Sequence, residues 1–184
     1  MKRHIALLPI ALALGFLQQV QAADPAPISN EVYKLAKDDI DHHYDSEKKA
    51  CDSLSGNAKD ICQEEAKGAE KVAQARLKAQ HTGKQSDKDD AVKAGIEARY
   101  NIAKERCDDV QGNQKDVCVK QAKADRDKAM ANLKARQEIK EARDDAAEKK
   151  READYKVAQE RCDAMSGNAK DACQASAKAR FNMY

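Results

Sequence analysis

Apolar residues follow two patterns along this chain. Ile5 to Leu17 is an almost unbroken apolar run of about 13 residues. Beyond it, apolar positions are scattered singly among charges, and many are alanine. From Ile28 to Leu54 strong helix formers carry opposite charges four residues apart, as in Lys34/Asp38 and Lys37/Asp41, a spacing that stacks partners on one face of a helix. A second helix is predicted from Asn57 to about Gln80 and a third from Asp87 to Val110. Between them His81-Thr82-Gly83-Lys84-Gln85-Ser86 reads as a linker. Gln114 to Met165 contains neither glycine nor proline and reads as one helix of about 50 residues, roughly 75 Å long. Its seam is thin: Ile139, Ala142, Ala146, Ala153 and Val157 lie at helical spacing, compatible with close helix packing or with a solvated rod. A short helix from Ala169 to near Met183 ends the series. Gly68 and Gly95 interrupt otherwise helical pattern.

The pattern repeats. CDSLSGNAKDIC from Cys51 to Cys62, CDDVQGNQKDVC from Cys107 to Cys118 and CDAMSGNAKDAC from Cys162 to Cys173 align without a gap, at periods of 56 and then 55 residues. A tyrosine stands seven residues before each (Tyr44, Tyr100, Tyr155), and Ala66-Lys67, Ala122-Lys123 and Ala177-Lys178 follow at one offset. Leu77-Lys78-Ala79 and Leu133-Lys134-Ala135 also correspond. In a continuous helix the two cysteines of a unit would stand about 16 Å apart, whereas a disulfide needs their α-carbons within about 7 Å. The chain must therefore reverse between them. Gly56, Gly112 and Gly167 suit the left-handed position after a helix's last turn. Asn57, Asn113 and Asn168 suit the N-cap of the next helix, with Asp60, Asp116 and Asp171 three residues on as in a capping box. The expected fold is all-α: three disulfide-stapled antiparallel helical hairpin tips joined by long Ala/Lys/Glu-rich helices. The hairpin repeats are expected at residues 23–80, 87–138 and 139–184, with the linker at 81–86. Each tyrosine should lie on its cysteine's face and cover a small residue of the partner helix, such as Ala66 or Ala69 beside Tyr44; the alternative is a shared tyrosine binding surface.

The termini and composition change what the cysteines mean. Lys2 and Arg3, the apolar run and Val20-Gln21-Ala22 make the three parts of a secretory signal peptide, residues 1–22. The run is too short for a membrane span of roughly 20 residues, so cleavage is expected, no transmembrane span is expected afterwards, and the mature protein is expected to be soluble and periplasmic or secreted. An even number of cysteines, none in the signal, then favours disulfides over zinc. Aromatics are 4%, tryptophan is absent and charged residues reach 36%, too little apolar area for a thick core at about 25 cal/mol per Å². Without Lys2 and Arg3 the basic residues fall from 34 to 32, equal to the 32 acidic ones. That balance argues against nucleic acid as a partner. The segment from Ala23 to Pro27 is expected to be unstructured.

Candidate chemistry is sparse. In Asp38-Asp39-Ile40-Asp41-His42-His43-Tyr44-Asp45, Asp38 faces His42 and Asp39 faces His43 at a spacing that can hold zinc, copper or nickel. The two histidines nevertheless diverge by about 100°, which favours a solvated face. No nucleophile elbow, phosphate loop, haem-attachment CxxCH or thioredoxin-like CxxC is present. The chain is read as a non-enzyme without cofactor. The Tyr-x6-Cys-Asp-x-x-x-Gly-Asn-x-Lys-Asp-x-Cys repeat resembles a group of proteobacterial exported proteins of poorly defined role, some labelled cell-envelope proteins similar to TolA, the periplasm-spanning helical component of the Tol–Pal system. Three rigid tips on extended helices with no site chemistry lead to the expectation of a cell-envelope scaffold, spacer or stress-related interaction protein whose partners are envelope or periplasmic proteins; the resemblance carries over no functional residue. Two other readings are a periplasmic metal-binding protein using residues 38–45 and a helical periplasmic chaperone.

Closing a 12-residue loop restricts the unfolded chain by about 3 kcal/mol, so three such loops rival the net stability of many domains. Adding reductant is expected to lower the thermal midpoint sharply in a circular-dichroism melt. Superimposable melting curves with and without reductant would remove the staples from the account of stability.

Overall fold

A computed structural model describes residues 26–183. The expected signal peptide, residues 1–22, lies outside the described residues. The described residues form five α-helices and short 3₁₀ turns, with no strand among them. The helices are α1 (Asn30–Ala50), α2 (Asn57–Thr82), α3 (Gln85–Arg106), α4 (Gly112–Asp163) and α5 (Gly167–Phe181). The expected all-α architecture with stapled hairpin tips is the observed one. Each helix packs mainly on its neighbours in the chain, and α2 against α3 is the most extensive contact.

The first helix begins at a residue that the hydrophobic pattern does not mark. Ser29 is its N-cap, accepting a hydrogen bond from the Val32 amide at 3.3 Å, which satisfies one of the helix's unpaired donors. Ile28, just before the cap, is also held in place. The Ile28 amide donates to the Gln80 carbonyl at 3.2 Å, and His81 Nδ1 lies 3.1 Å from the Ile28 carbonyl while its ring packs on Tyr33.

The linker at 81–86 is shorter than its composition suggests. His81 and Thr82 complete α2, Gln85 and Ser86 begin α3, and only Gly83 and Lys84 lie between. Gly83 adopts the left-handed conformation, φ 66° and ψ −3°, and returns its amide to the Ala79 carbonyl, the usual way a glycine ends a helix. Asp87 holds the corner. It is buried, accepts from Thr82 Oγ1 at 2.6 Å and pairs with Lys78 Nζ at 2.7 Å. The Lys78 ammonium and then the Thr82 hydroxyl hold its carboxyl below the ordinary carboxylate value.

The result is an up–down–up succession. α1 rises to the first tip, α2 descends to Gly83, and α3 rises to the second tip beside the first. α4 then descends alongside α3 and continues well past it. Its 52 residues span about 78 Å, whereas the 22 residues of α3 span about 33 Å. On α4, Ala122 and Leu133 are buried against α3, and Gln137 Nε2 donates to Asp89 at 3.0 Å. Every residue from 138 to 154 is exposed. Burial resumes at Tyr155, whose ring meets Phe181 of α5 edge-on at 6.2 Å. Of the two readings left open for this stretch, the solvated rod is the one observed.

The two interior glycines have opposite roles. A Cβ on Gly68 would lie 3.0 Å from Ala98 Cβ, so this glycine sets how closely α2 approaches α3. A Cβ on Gly95 would meet nothing nearer than Arg99 Nη1 at 4.0 Å. Gly95→Ala is therefore expected to stabilise by up to about 1 kcal/mol through helix propensity. Gly68→Leu is expected to destabilise by about 1–3 kcal/mol through overpacking. Urea unfolding of the two variants checks this, and equal shifts of the same sign would contradict the packing described.

Candidate functional site

The three stapled tips are the structural features that recur, and they are built alike. In the first two, the rising helix tightens into one 3₁₀ turn, Cys51–Ser53 and Cys107–Asp109, which starts the reversal within the cysteine's own turn. In all three, an amide then donates back to the first cysteine's carbonyl: Leu54 at 3.0 Å, Val110 at 3.3 Å and Met165 at 3.0 Å. Disulfides join Cys51 to Cys62, Cys107 to Cys118 and Cys162 to Cys173, with α-carbons 5.7, 5.6 and 5.6 Å apart. The described chain holds no free cysteine. The first cysteine of each pair is almost fully enclosed, at 0%, 0% and 1% exposure.

The glycine and asparagine stand one step later in the reversal than the spacing suggests. Gly56, Gly112 and Gly167 do have positive φ, at 56°, 57° and 57°. They stand at the entry to the second helix rather than behind the first. Gly56, with ψ at −149°, lies in a region open essentially to glycine alone. Asn57 is the first residue of α2, and Asn113 and Asn168 lie inside the first turns of α4 and α5. None of the three helices has a side-chain hydrogen bond at its cap, so no capping box forms with Asp60, Asp116 or Asp171, all three exposed. The glycine provides the reversal that the asparagine was expected to cap.

A repeated ion pair clasps each tip instead. The aspartate after each first cysteine reaches the lysine three residues before the second: Asp52 to Lys59 at 2.9 Å, Asp108 to Lys115 at 2.8 Å and Asp163 to Lys170 at 3.0 Å. The Lys59 hydrogen bond holds the Asp52 carboxyl below its ordinary value, and Asp108 raises the Lys115 ammonium. These pairs are solvent-exposed, so their contribution is small. What they add is a fixed geometry across the loop. The signal was present in the sequence as an Asp and a Lys seven residues apart in all three copies.

The repeated tyrosines pack, each differently. Tyr155 is buried against α5. Tyr100 lies under the Arg126 guanidinium of α4 at 4.5 Å, close enough for a cation–π contact. Tyr44 is half-buried with Lys48 above it at 5.7 Å. The small residue at the repeat's common offset is enclosed in every copy, namely Ala66, Ala122 and Ala177. Ala69, the other residue expected beside Tyr44, is exposed.

The first two tips also touch. Asn57 Nδ2 donates to the Glu105 carbonyl at 3.2 Å and to Asp109 Oδ1 at 2.7 Å, while Arg106 meets Glu65 at 2.6 Å. The third tip stands at the other end of α4. At the apex each copy places one apolar side chain: Leu54, Val110 or Met165. Leu54 and Met165 are 43% and 47% exposed.

Asp38, Asp39, His42 and His43 lie on the exposed face of α1. His43 pairs with Glu47 at 3.5 Å, and Asp41 is taken by Lys37 and Gln74. Among the described residues no group of three or more His, Cys, Asp or Glu side chains is arranged to hold a metal ion. An open groove of about 850 Å³ lies where the start of α3 meets α4, lined by Asp89, Asp90, Lys93, Gln137, Lys140 and Asp144 among others. Its charges include pairs with one another, such as Lys140 with Asp144.

No protein family, curated protein or solved structure matches the chain. Three closed disulfides fit an extracellular or periplasmic protein, and among the described residues no helix is long and apolar enough to cross a membrane.

The glycine geometry is testable at each tip independently. Beyond the adjoining backbone and chain neighbours, nothing lies within 4 Å of a Cβ built on Gly56, Gly112 or Gly167, so substitution there acts through the backbone conformation. Gly56→Ala, Gly112→Ala and Gly167→Ala should each destabilise by about 1–3 kcal/mol in denaturant unfolding under non-reducing conditions. An unchanged midpoint in all three would show that the tips tolerate another turn.

Proposed function

We propose that the chain is a non-catalytic helical repeat protein of the cell envelope, exported to the periplasm, which acts as a spacer or scaffold. The observation that carries this reading is the bare stretch of α4. Residues 138–154 are exposed on every side, yet the helix runs through them without a break. A chain whose task was to enclose a ligand would fold this segment back onto its neighbours. Here it holds two stapled bodies apart. One is the α1–α3 head with two adjoining tips, and the other is the short hairpin of α4 and α5. Cys118 and Cys162, one in each body, are separated by 44 residues of α4, or about 66 Å of helix.

The resemblance of the repeat to exported proteobacterial proteins with Lys/Ala-rich helices supports the same reading, as does the disulfide content. The exposed Leu54 at one end and Met165 at the other give both ends something with which to contact other proteins. In this view the recognition surfaces are the tips and the rod sets their distance.

A spacer acts through its length. Photo-crosslinking residues at positions 54 and 165, in cells exporting the protein, should capture envelope proteins at both ends. Deleting residues 141–151 removes about 16 Å while turning the far end by only about 20°. Export, staples and thermal midpoint should be unchanged, but simultaneous crosslinking at the two ends should be lost. Equal crosslinking at both ends after the deletion, or no envelope protein captured at either end, would overturn the reading.

A further inference from the structure

The bare rod of α4 has a side that neither body uses, and it is the least polar side of this segment. Ala146 lies nine residues after Gln137, which hydrogen-bonds to Asp89 of α3, and nine before Tyr155, which is buried against α5. Nine residues are two and a half turns, so Ala146 points opposite to both. Ala135, Ile139, Ala142, Ala153 and Val157 share that outward side at steps of three, four and seven. Ile139 and Val157 are 52% and 53% exposed. The face is therefore unobstructed by α3 or α5 along its length, and its small residues allow another helix to approach closely.

The charges beside this face indicate what covers it. Along one flank stand Glu138 and Asp145, then Lys149 and Lys156. The order is acidic and then basic, reversing about residue 147. Such a flank is complementary to itself when run backwards. With two copies antiparallel about that point, Glu138 of one meets Lys156 of the other and Asp145 meets Lys149, each pair occurring twice by the two-fold axis. The apolar seam is centred on Ala146, one residue from the midpoint of the flank, which sets Ile139 against Ala153 and Ala135 against Val157; the offset of about 1.5 Å along the axis is within reach of the long charged side chains. The opposite flank is mixed, with Arg136 and Arg143 before the centre and Lys150 and Asp154 after it, so it opposes the pairing on the first flank only weakly. The antiparallel direction also sends the two α1–α3 heads to opposite ends, away from each other.

We propose that the outward face of α4 around Ala146 is a docking surface for a second copy of the chain, paired antiparallel. The contact is narrow and rich in alanine, so the dimer is weak and its population depends on concentration and salt. This inference goes beyond the spacer reading and does not require it, because it is read from purified protein and not from captured partners.

Charge exchange tests both the contact and its direction. Sedimentation equilibrium of the disulfide-intact protein at low salt should show a monomer–dimer equilibrium. Asp145→Lys or Lys149→Asp alone should raise the dimer Kd by about tenfold. The double variant should return it to within about twofold of the starting value. In a parallel pair Asp145 would instead face Lys150, and the double exchange would not restore binding. Ile139→Lys, on the apolar seam, should abolish the dimer while circular dichroism stays unchanged, since the site is solvent-exposed in the single chain. A monomer at every concentration, single exchanges without effect, or a double exchange no better than the singles would each overturn the proposal.

Discussion

The structure depends on a sulfur–sulfur bond placed where the chain must reverse. In most domains of this length the reversal of helices is held by the apolar core beneath them. Here the side chains most completely removed from solvent are Cys51, Cys107 and Cys162. Half of the remaining enclosed apolar set among the described residues is alanine, Ala66, Ala79, Ala122 and Ala177, and the other half is Leu77, Ile96, Leu133 and Tyr155. Burying alanine removes little apolar area from water, so the favourable burial is small against the entropy of ordering the helices. A disulfide acts on the other side of that balance by restricting the unfolded chain. The staple and the thin core therefore belong together.

Reversal imposes a second constraint, on the backbone. The link between two antiparallel helices must pass through a conformation that a side chain resists, and the repeated glycine occupies it. Asp52, Asp108 and Asp163 then close over the loop onto Lys59, Lys115 and Lys170. All these groups lie within the twelve residues from cysteine to cysteine, so the tip is a local unit that can be repeated without redesigning its surroundings. Its surroundings do differ. Tips one and two lean on each other through Asn57, Glu105 and Asp109, while the equivalent Asn113 and Asn168 are exposed.

Local features were legible in the sequence, and long-range ones were not. The pairing of neighbouring cysteines follows from helix rise and disulfide reach, and the uninterrupted α4 from the absence of glycine and proline between Gln114 and Met165. The capping role assigned to Asn57 was wrong, because a Gly-Asn pair between helices reads equally well as an exit or an entry, and only the backbone angles decide. The six-residue linker was too long for a similar reason. Turn-forming composition cannot show that Thr82 and Asp87 hydrogen-bond across the corner and let α3 start at once. Gly68 looked like a weak point in a helix, whereas it is a point of contact. That meaning comes from Ala98, thirty residues away, which no local reading reaches. The fate of Ile139, Ala142 and Ala146 was undetermined for the same reason, since a sparse apolar stripe is compatible with burial or exposure until the partner helix is known to end.

The bare rod raises a question of physical chemistry. An isolated helix of seventeen residues is marginal in water, because forming its first turn fixes several dihedrals for one hydrogen bond. Residues 138–154 do not face that cost. The helix is already formed on one side, where Ala122 and Leu133 pack on α3, and on the other, where Tyr155 and Cys162 pack on α5. The intervening residues only propagate it, each adding one backbone bond. Ion pairs one turn apart add a few tenths of a kcal/mol apiece, as between Lys134 and Glu138, Lys140 and Asp144, and Glu148 and Arg151. Packing at the two ends thus sets where the helix starts and stops, and composition alone keeps the middle straight. A segment governed in this way can lengthen or shorten by whole turns with little effect on the stability of either end, whereas moving a cysteine within its tip by one residue would misalign the staple. Selection on such a chain can therefore act on its reach separately from its fold.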